Sequence, residues 1–322
     1  MKVLVTGGAG FIGSNLTDFL INQGIEVRIA DNFSTGFRQH LVDLSLRGVE
    51  VAEGDLTDRV FVDEVMSGIH VVVHLAANAD VRFGWDDPYR DIEQNLVVTH
   101  NVLQSMIKNG VNRLIFSSTG SVYGEANQIP TPEDACFPRQ TSLYGASKSA
   151  AEGLISAYCE NGKISATVFR FVSILGPRYS HGHVLDFVAQ LLDHPQYLRV
   201  LGDGTQRKSY LHVEDCIKAI HMRLAEGPSF EVLNLGVDSF CELRDSITWI
   251  TRKMGLAPNL EFTGGSRGWV GDNPFIYLDI KKVSGLGWRP SHTIEKSVED
   301  TVDWILENPW VLKAAVQSKK PT

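Results

Sequence analysis

Cysteine is scarce in this chain, four among 322 residues, at positions 136, 159, 216 and 241. Their wide spacing forms neither a paired metal-ligand pattern nor a disulfide scaffold, so the expectation is reduced thiols, no metal site and a cytoplasmic location. A surplus of positive charge is also missing. Thirty Lys and Arg stand against thirty-eight Asp and Glu, a net charge of −8. That balance argues against nucleic acid and anionic membranes as partners, and any phosphate site must be made locally. No apolar run reaches membrane-spanning length, and a strand pattern starts at Lys2, leaving no room for a signal peptide. Internal repeats and low-complexity segments are absent as well. With 43% hydrophobic and 21% charged residues, the chain reads as an ordinary globular protein with ample core.

Glycine is concentrated in the opening stretch, Lys2-Val3-Leu4-Val5-Thr6-Gly7-Gly8-Ala9-Gly10-Phe11-Ile12-Gly13. A buried strand breaks on these glycines into a helical pattern carried by Leu16, Phe19, Leu20 and Ile21, and Gly24 marks its end. A second strand, Val27 to Asp31, closes on a carboxylate eighteen residues beyond Gly13. Glycines let backbone approach a pyrophosphate, the helix N-terminus faces the anion, and the acid can accept hydrogen bonds from a ribose diol. The order predicts dinucleotide binding. The next basic residue after Asp31 is Arg38, so no cation directly follows to hold a 2′-phosphate, and NAD is favoured over NADP.

Further along, Asn32-Phe33-Ser34-Thr35-Gly36 is a turn-rich loop suited to wrapping the adenosine. Another strand runs from Val49 toward Asp55-Leu56, where Asp55 either contacts adenine or caps the next helix. Val71 to Ala77 is a fourth strand whose small last residues, with Leu75, leave room for a flat ring, while His74 reads as a core histidine. Long helices are predicted over 89–108 and 144–160, the latter with Thr141 or Ser142 as N-cap. Between them Leu114 to Thr119 forms a fifth strand, and Ala166 to Arg170 a sixth. Alternating βα units imply an α/β fold, a doubly wound parallel (Rossmann) sheet. Shorter elements after it suggest a second, smaller α/β substrate-binding domain. The expected division is 1–172, with segments near 208–240 returning to it, then 173–207 with 241–312, and a tail over 313–322.

Tyr144 and Lys148 lie four residues apart on one helical face. A phenol ionises near ~10, and reaching about 7 takes ~4 kcal/mol. An ammonium at ~4 Å in a dielectric of ~20 supplies about that much, so Lys148 is expected to depress the Tyr144 pKa.

These motifs, together with Gly54-Asp55-Leu56, His74-Leu75-Ala76-Ala77, Ser117 to Gly124, Gly202 to Arg207 and Asn234-Leu235-Gly236, resemble the extended short-chain dehydrogenases/reductases acting on nucleotide sugars. Among these the chain is most similar to the UDP-glucose (UDP-galactose) 4-epimerases, from residue 2 to about residue 310. The resemblance implies that Tyr144 is the catalytic base, Thr119 hydrogen-bonds the sugar 4-oxygen, and Lys148 holds the nicotinamide ribose. It also implies NAD contacts from Gly7, Gly10, Phe11, Ile12, Gly13, Asp31, Asn32, Ser34, Thr35, Gly36, Asp55, Leu56, Leu75, Ala76, Ala77, Asn95, Ser117 and Phe171. Substrate contacts would come from Thr119, Ser173, Arg178, Val184, Arg207, Arg267 and Asp272, with Arg207 and Arg267 on the diphosphate. A homodimer pairing the two long helices through Ala150, Leu154, Ala157 and Tyr158 is implied too.

Three departures from the family pattern stand out: Ser173 replaces an Asn, Ala79 replaces a Lys, and the late Arg-Gly-Asp pattern is stretched over Arg267 to Asp272. Dehydrating relatives carry Asp-Glu after the catalytic Thr, and decarboxylating ones a Glu, because elimination needs a carboxyl acid/base. Here those positions are Gly120 and Ser121, which leaves reversible oxidation at C4 of a UDP-sugar. Ile276, four residues after Asp272, stands where a bulky Tyr excludes N-acetyl groups. UDP-glucuronate is an alternative, with Arg178 or His181 as carboxylate partners. Another nucleotide-sugar oxidoreductase or dehydratase, and a non-catalytic binder of NAD or nucleotide sugar, are the remaining readings.

Overall fold

The computed structural model describes residues 1–78, 84–135, 139–265, 267, 273 and 275–313. Its elements are β1 (Lys2–Thr6), α1 (Phe11–Asn22), β2 (Glu26–Asp31), α2 (Val42–Leu46), β3 (Glu50–Glu53), α3 (Arg59–Met66) and β4 (Val71–His74). They continue with α4 (Pro88–Asp91), α5 (Val98–Asn109), β5 (Arg113–Thr119), α6 (Leu143–Glu160), β6 (Ser165–Phe171), β7 (Ser173–Leu175) and α7 (His183–Asp193). Then follow β8 (Tyr197–Val200), β9 (Arg207–Lys208), β10 (Tyr210–His212), α8 (Val213–Met222), β11 (Phe230–Leu235), β12 (Cys241–Glu242) and α9 (Leu243–Met254). The last are β13 (Asn259–Phe262), β14 (Phe275–Ile276), α10 (Lys281–Gly285) and α11 (Ile294–Glu307).

Seven strands form one parallel sheet in the order β11-β6-β5-β4-β1-β2-β3. Val3, Leu4 and Val5 are fully buried, as the apolar run requires of a central strand covered on both faces. Chain direction across the sheet reverses between β1 and β4, so a crevice opens at their carboxyl ends, where doubly wound sheets bind ligands. Three small sheets, β7 with β10, β12-β9-β14, and β8 with β13, stand outside this frame. Their side chains share one apolar cluster with the α1 face of the large sheet, from Leu16 and Ile29 through Leu185 to Val302. The opposite face, with α3, α5 and α6, has its own cluster around Val72, Leu103 and Ile155.

The long helix expected over 89–108 is built in three pieces: α4, a π-helical turn over Ile92–Val97, and α5, which stops at Gly110 in the left-handed conformation (φ 70°). The second long helix starts one residue earlier than expected, and of the two N-cap candidates Ser142 accepts the Gly145 N–H at 3.0 Å. The strand ending at Ala77 is shorter than its apolar run: pairing stops at His74, and Leu75 to Ala77 leave the sheet as the crevice wall. Ala79 and the end of the tail lie outside the described residues.

Candidate active site

The β1–α1 turn is made of backbone in close contact. Gly7 adopts φ 69°, and a Cβ there would lie 2.8 Å from the Ala76 amide nitrogen. A Cβ on Gly13 would lie 2.3 Å from the Gly7 carbonyl oxygen. Both positions therefore require glycine. Gly10 caps α1 without a side chain, and no acidic residue stands in the first turn, so the free N–H groups beside Phe11 and Ile12 face the crevice end uncompensated. A pyrophosphate fits this cradle.

Asp31 ends β2 with each carboxylate oxygen accepting one backbone N–H, from Ala9 and from Phe33, both at 2.8 Å. It is 8% exposed, and burial raises its pKa while those two amides work against the rise. Gly36 packs on the same carboxylate, with its would-be Cβ 3.0 Å from Oδ1. Ser34 and Thr35 are exposed on the loop beside it. Asp55 does not cap α3; that position belongs to Asp58, which accepts the Val60 N–H at 2.9 Å. Instead Asp55 binds the Thr57 N–H and hydroxyl at 2.8 and 2.7 Å and the Asn32 amide at 2.8 Å, bridging the two loops that would flank an adenine. Leu56 is buried beside it, and Leu75, Ala76 and Ala77 are half-buried across the crevice.

Thr119 ends β5, and Tyr144 opens α6. A Cβ on Gly145 would lie 2.8 Å from the Ser121 carbonyl, so this glycine lets the helix close on the strand's exit. Thr119 and Tyr144 are hydrogen-bond partners. Lys148, 1% exposed, donates from Nζ to the Ser117 carbonyl at 2.9 Å and lies 4.6 Å over the Phe116 ring. Burial lowers its pKa to about 7, against the pull of Glu152.

The phenol differs from the electrostatic expectation. Burial raises the Tyr144 pKa to about 12, the Thr119 hydrogen bond lowers it, and the charge of Asp91 raises it. Helical spacing places the two residues on one face, but the lysine stem runs down to the strand carbonyl. The chain's own groups thus hold the phenol protonated.

Other expected residues fall nearby. Asn95 sits in the π turn, where it donates to Ser147 Oγ at 2.9 Å and accepts the Asn78 N–H at 3.0 Å. Phe171 is buried at the end of β6. His74 is a satisfied core histidine, 2.7 Å from Thr6 Oγ1 and 3.2 Å from Thr99 Oγ1, its pKa lowered by burial to about 3.

The substrate side is less uniform. Arg207 is exposed on β9, its guanidinium 4.3 Å over the Phe275 ring. Ser173 is exposed on β7. Arg267 pairs with Glu125, and both line a cavity with Arg139, Gln140 and Thr141 close to the start of α6. Asp272 lies outside the described residues. One expectation needs correction. Arg178, held at φ 68°, turns its guanidinium to the Ser14 carbonyl at 2.9 Å and to Asp18 at 3.4 Å on α1, so it is not a carboxylate partner for substrate. Val184 lies in the first turn of α7 with its side chain fully buried in the core, which leaves only its backbone to meet a ligand. Sequence reasoning missed Glu125 and Phe275, whose partners Arg267 and Arg207 lie far from them in the chain, and the Asn78–Asp91 pair at 2.8 Å, formed between the exit of β4 and α4.

A glycine cradle at the switch of a parallel sheet, a ribose acid and a Thr–Tyr–Lys set define an NAD-binding short-chain dehydrogenase/reductase of the extended type. Residues 3–236 match the NAD dependent epimerase/dehydratase family, and the chain belongs to it. It is 31% identical to the UDP-glucose 4-epimerase of Corynebacterium glutamicum, covering 98% of this chain and 97% of that one. A crystal structure of a UDP-galactose 4-epimerase superposes with a TM-score of 0.86 at 34% identity, over 96% of this chain and 100% of the other. The UDP-glucose 4-epimerase of Thermus thermophilus in complex with NAD gives 0.86 at 30%, with the same coverage. A UDP-glucuronic acid 4-epimerase from Bacillus cereus, in complex with UDP-glucuronic acid and NAD, gives 0.86 at 27%, over 95% and 99%.

Proposed function

We propose that this protein is an NAD-dependent 4-epimerase of UDP-sugars, with UDP-glucose and UDP-galactose as its substrate pair. The observation that carries the reading is the Thr119–Tyr144 hydrogen bond at the end of β5, with Lys148 anchored on the Ser117 carbonyl of the same strand and no carboxyl at Gly120 or Ser121. A Cβ at position 120 would lie 3.1 Å from Ile276 Cγ2, so a larger residue there would have to displace that side chain by a few tenths of an ångström. NAD⁺, when bound, would supply the acceptor and donor of the C4 hydride and add positive charge to the crevice. Gly7, Gly10 and Gly13 would hold its pyrophosphate, Asp31 its adenosine ribose and Lys148 its second ribose.

Tyr144 takes the proton of the 4-hydroxyl, and Thr119 hydrogen-bonds that oxygen. With the phenol held near 12 by the chain alone, added positive charge must lower it before it can act as a base. Arg207 and Arg267 grip the diphosphate while the 4-keto sugar turns over, so that hydride returns to its other face. Ile276 at the Thr119–Gly120 edge leaves space for N-acetylated sugars. UDP-glucuronate is a weaker alternative because Arg178 is committed to α1. We also infer a cytoplasmic homodimer through the helices of 88–109 and 143–160; among the described residues no helix is long and apolar enough to cross a membrane. A monomeric mass at micromolar concentration would refute the dimer.

Proton NMR of the purified protein with UDP-galactose or UDP-N-acetylgalactosamine, without added NAD, tests the activity. Appearance of the gluco epimers is the expected result. If UDP-galactose, UDP-N-acetylgalactosamine and UDP-glucuronate all stay unchanged, the epimerase reading fails.

A further inference from the structure

Glu152 lies one turn beyond Lys148 and two beyond Tyr144, near the same face of α6, and is 6% exposed. Its carboxylate is gripped from two strands. The Ser118 hydroxyl of β5 donates to it, and Arg170 of β6 approaches with Nε at 3.1 and 3.2 Å and Nη2 at 2.6 Å. Arg170 Nη1 also donates to the Tyr123 phenol oxygen at 2.6 Å and to the Glu133 carbonyl at 3.1 Å. Tyr123 in turn donates to Asn234 at 2.8 Å, and the Asn234 amide holds the carbonyls of Thr131 and Asp279 at 2.9 and 3.1 Å. Ser118 stands between Ser117, whose carbonyl receives Lys148, and Thr119. The network therefore begins on the helix that carries Tyr144 and Lys148 and ends three residues beyond Ile276.

A buried ion pair is a weak source of stability, because desolvation cancels much of its attraction and an apolar pair can do as well. Its placement suggests another use. Five charged or titratable groups matter around the two reactive side chains. Lys148 has Glu152 one turn along its own helix and His74 from β4, which burial keeps neutral. Asp91, on the helix packed across α6, acts on Tyr144. Arg170 from β6 and Tyr123 engage Glu152 and its partner, not the lysine. Burial works against the charge on Lys148, and Glu152 works for it.

We propose that Glu152, clamped by Arg170 and Ser118, is a positioning residue that keeps Lys148 a cation against the Ser117 carbonyl and so sets the alkaline limit of catalysis. This rests on the epimerase reading of Tyr144 and Lys148. Removing the carboxylate lets Lys148 lose its proton at lower pH, so the alkaline limb of kcat moves down.

The test compares wild type, Glu152→Gln, Glu152→Asp and the double variant Glu152→Gln/Arg170→Met. In Glu152→Gln the alkaline limb should fall by about one pH unit, with kcat at pH 8 down about tenfold and KM within about threefold. Glu152→Asp should keep the wild-type limb. Because Glu152→Gln leaves Arg170 buried without a counter-charge, the double variant removes both charges; it should regain thermal stability and keep the lowered limb. NAD retained after desalting across pH 6 to 10 reads the same lysine without turnover, and Glu152→Gln should release it at lower pH than wild type. A wild-type limb in either Gln-containing variant, or an unshifted NAD release curve, overturns the inference. Wild-type protein that retains NAD but turns over no UDP-sugar overturns the epimerase reading instead.

Discussion

The two ends of the crevice are made of different material. At the end proposed for the cofactor the close approaches are made by backbone: the Gly7 conformation, the Gly13 approach to the Gly7 carbonyl, the open amides of α1, and Asp31 tied to two N–H groups. At the end proposed for the nucleotide sugar the surface is made of long side chains: Arg207 on a two-residue strand against Phe275, and Arg267 in a pair with Glu125. Backbone contacts tolerate almost no change in volume, because nothing nearby can move aside. Long side chains can re-aim, so the sugar end is where relatives with one fold can take different substrates. Rigidity at one end and adaptability at the other follow from which atoms make each contact.

Tyr144 stands at the seam between the ends, and its replacement should have the largest effect. Tyr144→Phe should lower kcat by about 10²- to 10⁴-fold, as expected for loss of a general base, while NAD stays bound. Near-normal turnover would remove its assigned role. Gly13→Ala strikes the backbone end. The added methyl meets the Gly7 carbonyl, so the protein should lose NAD on gel filtration and about 1–3 kcal/mol of stability by denaturant unfolding. Retained NAD and unchanged unfolding would mean that the turn yields, and the contrast between the two ends would disappear.

Arg207→Ala probes the other end. Loss of one charge-assisted contact to a diphosphate should raise KM for the UDP-sugar about ten- to hundredfold, with kcat within about threefold and NAD content unchanged. A fall in kcat with constant KM would place Arg207 in the chemical step.

The smallest effect concerns histidines on both sides of the division. Burial lowers His40 to about 4, His74 to about 3 and His183 to about 4. Unfolded, each titrates near ~6.5, so the unfolded chain binds the extra protons. Their stabilising contribution is therefore complete above that value and is lost as pH falls toward 4. The steepest slope is about 4 kcal/mol per pH unit for the three together. In His40→Gln the acid-side slope of stability against pH should drop by about 1.4 kcal/mol per unit. An unchanged slope would show that His40 does not titrate on unfolding.

Legibility followed the same division. The glycine turn, Asp31 and the Tyr144–Lys148 pair were readable because each depends on a few consecutive residues: a positive φ, a helix N-terminus, a four-residue helical repeat. The direction taken by each side chain was not. Spacing placed Lys148 with Tyr144, yet Nζ runs to the Ser117 carbonyl and the phenol is raised by burial. Arg178 was read as facing substrate, yet it binds Ser14 and Asp18 on α1, residues 160 or more positions away in the chain. Glu152 carried a faint signal, four residues after Lys148, but its meaning depends on Arg170 and Ser118 from two different strands.

By itself the sequence determined the parallel sheet, the glycine turn at the end of β1 and the placing of Tyr144 and Lys148 on one helix, because hydrophobic period, glycine conformation and helical repeat are local properties of the chain. Only the tertiary structure decided which charges meet which, how far burial moves the Tyr144 and Lys148 protons, and which arginines remain available to a ligand. Those quantities depend on distance and desolvation among residues that the chain brings together only when folded.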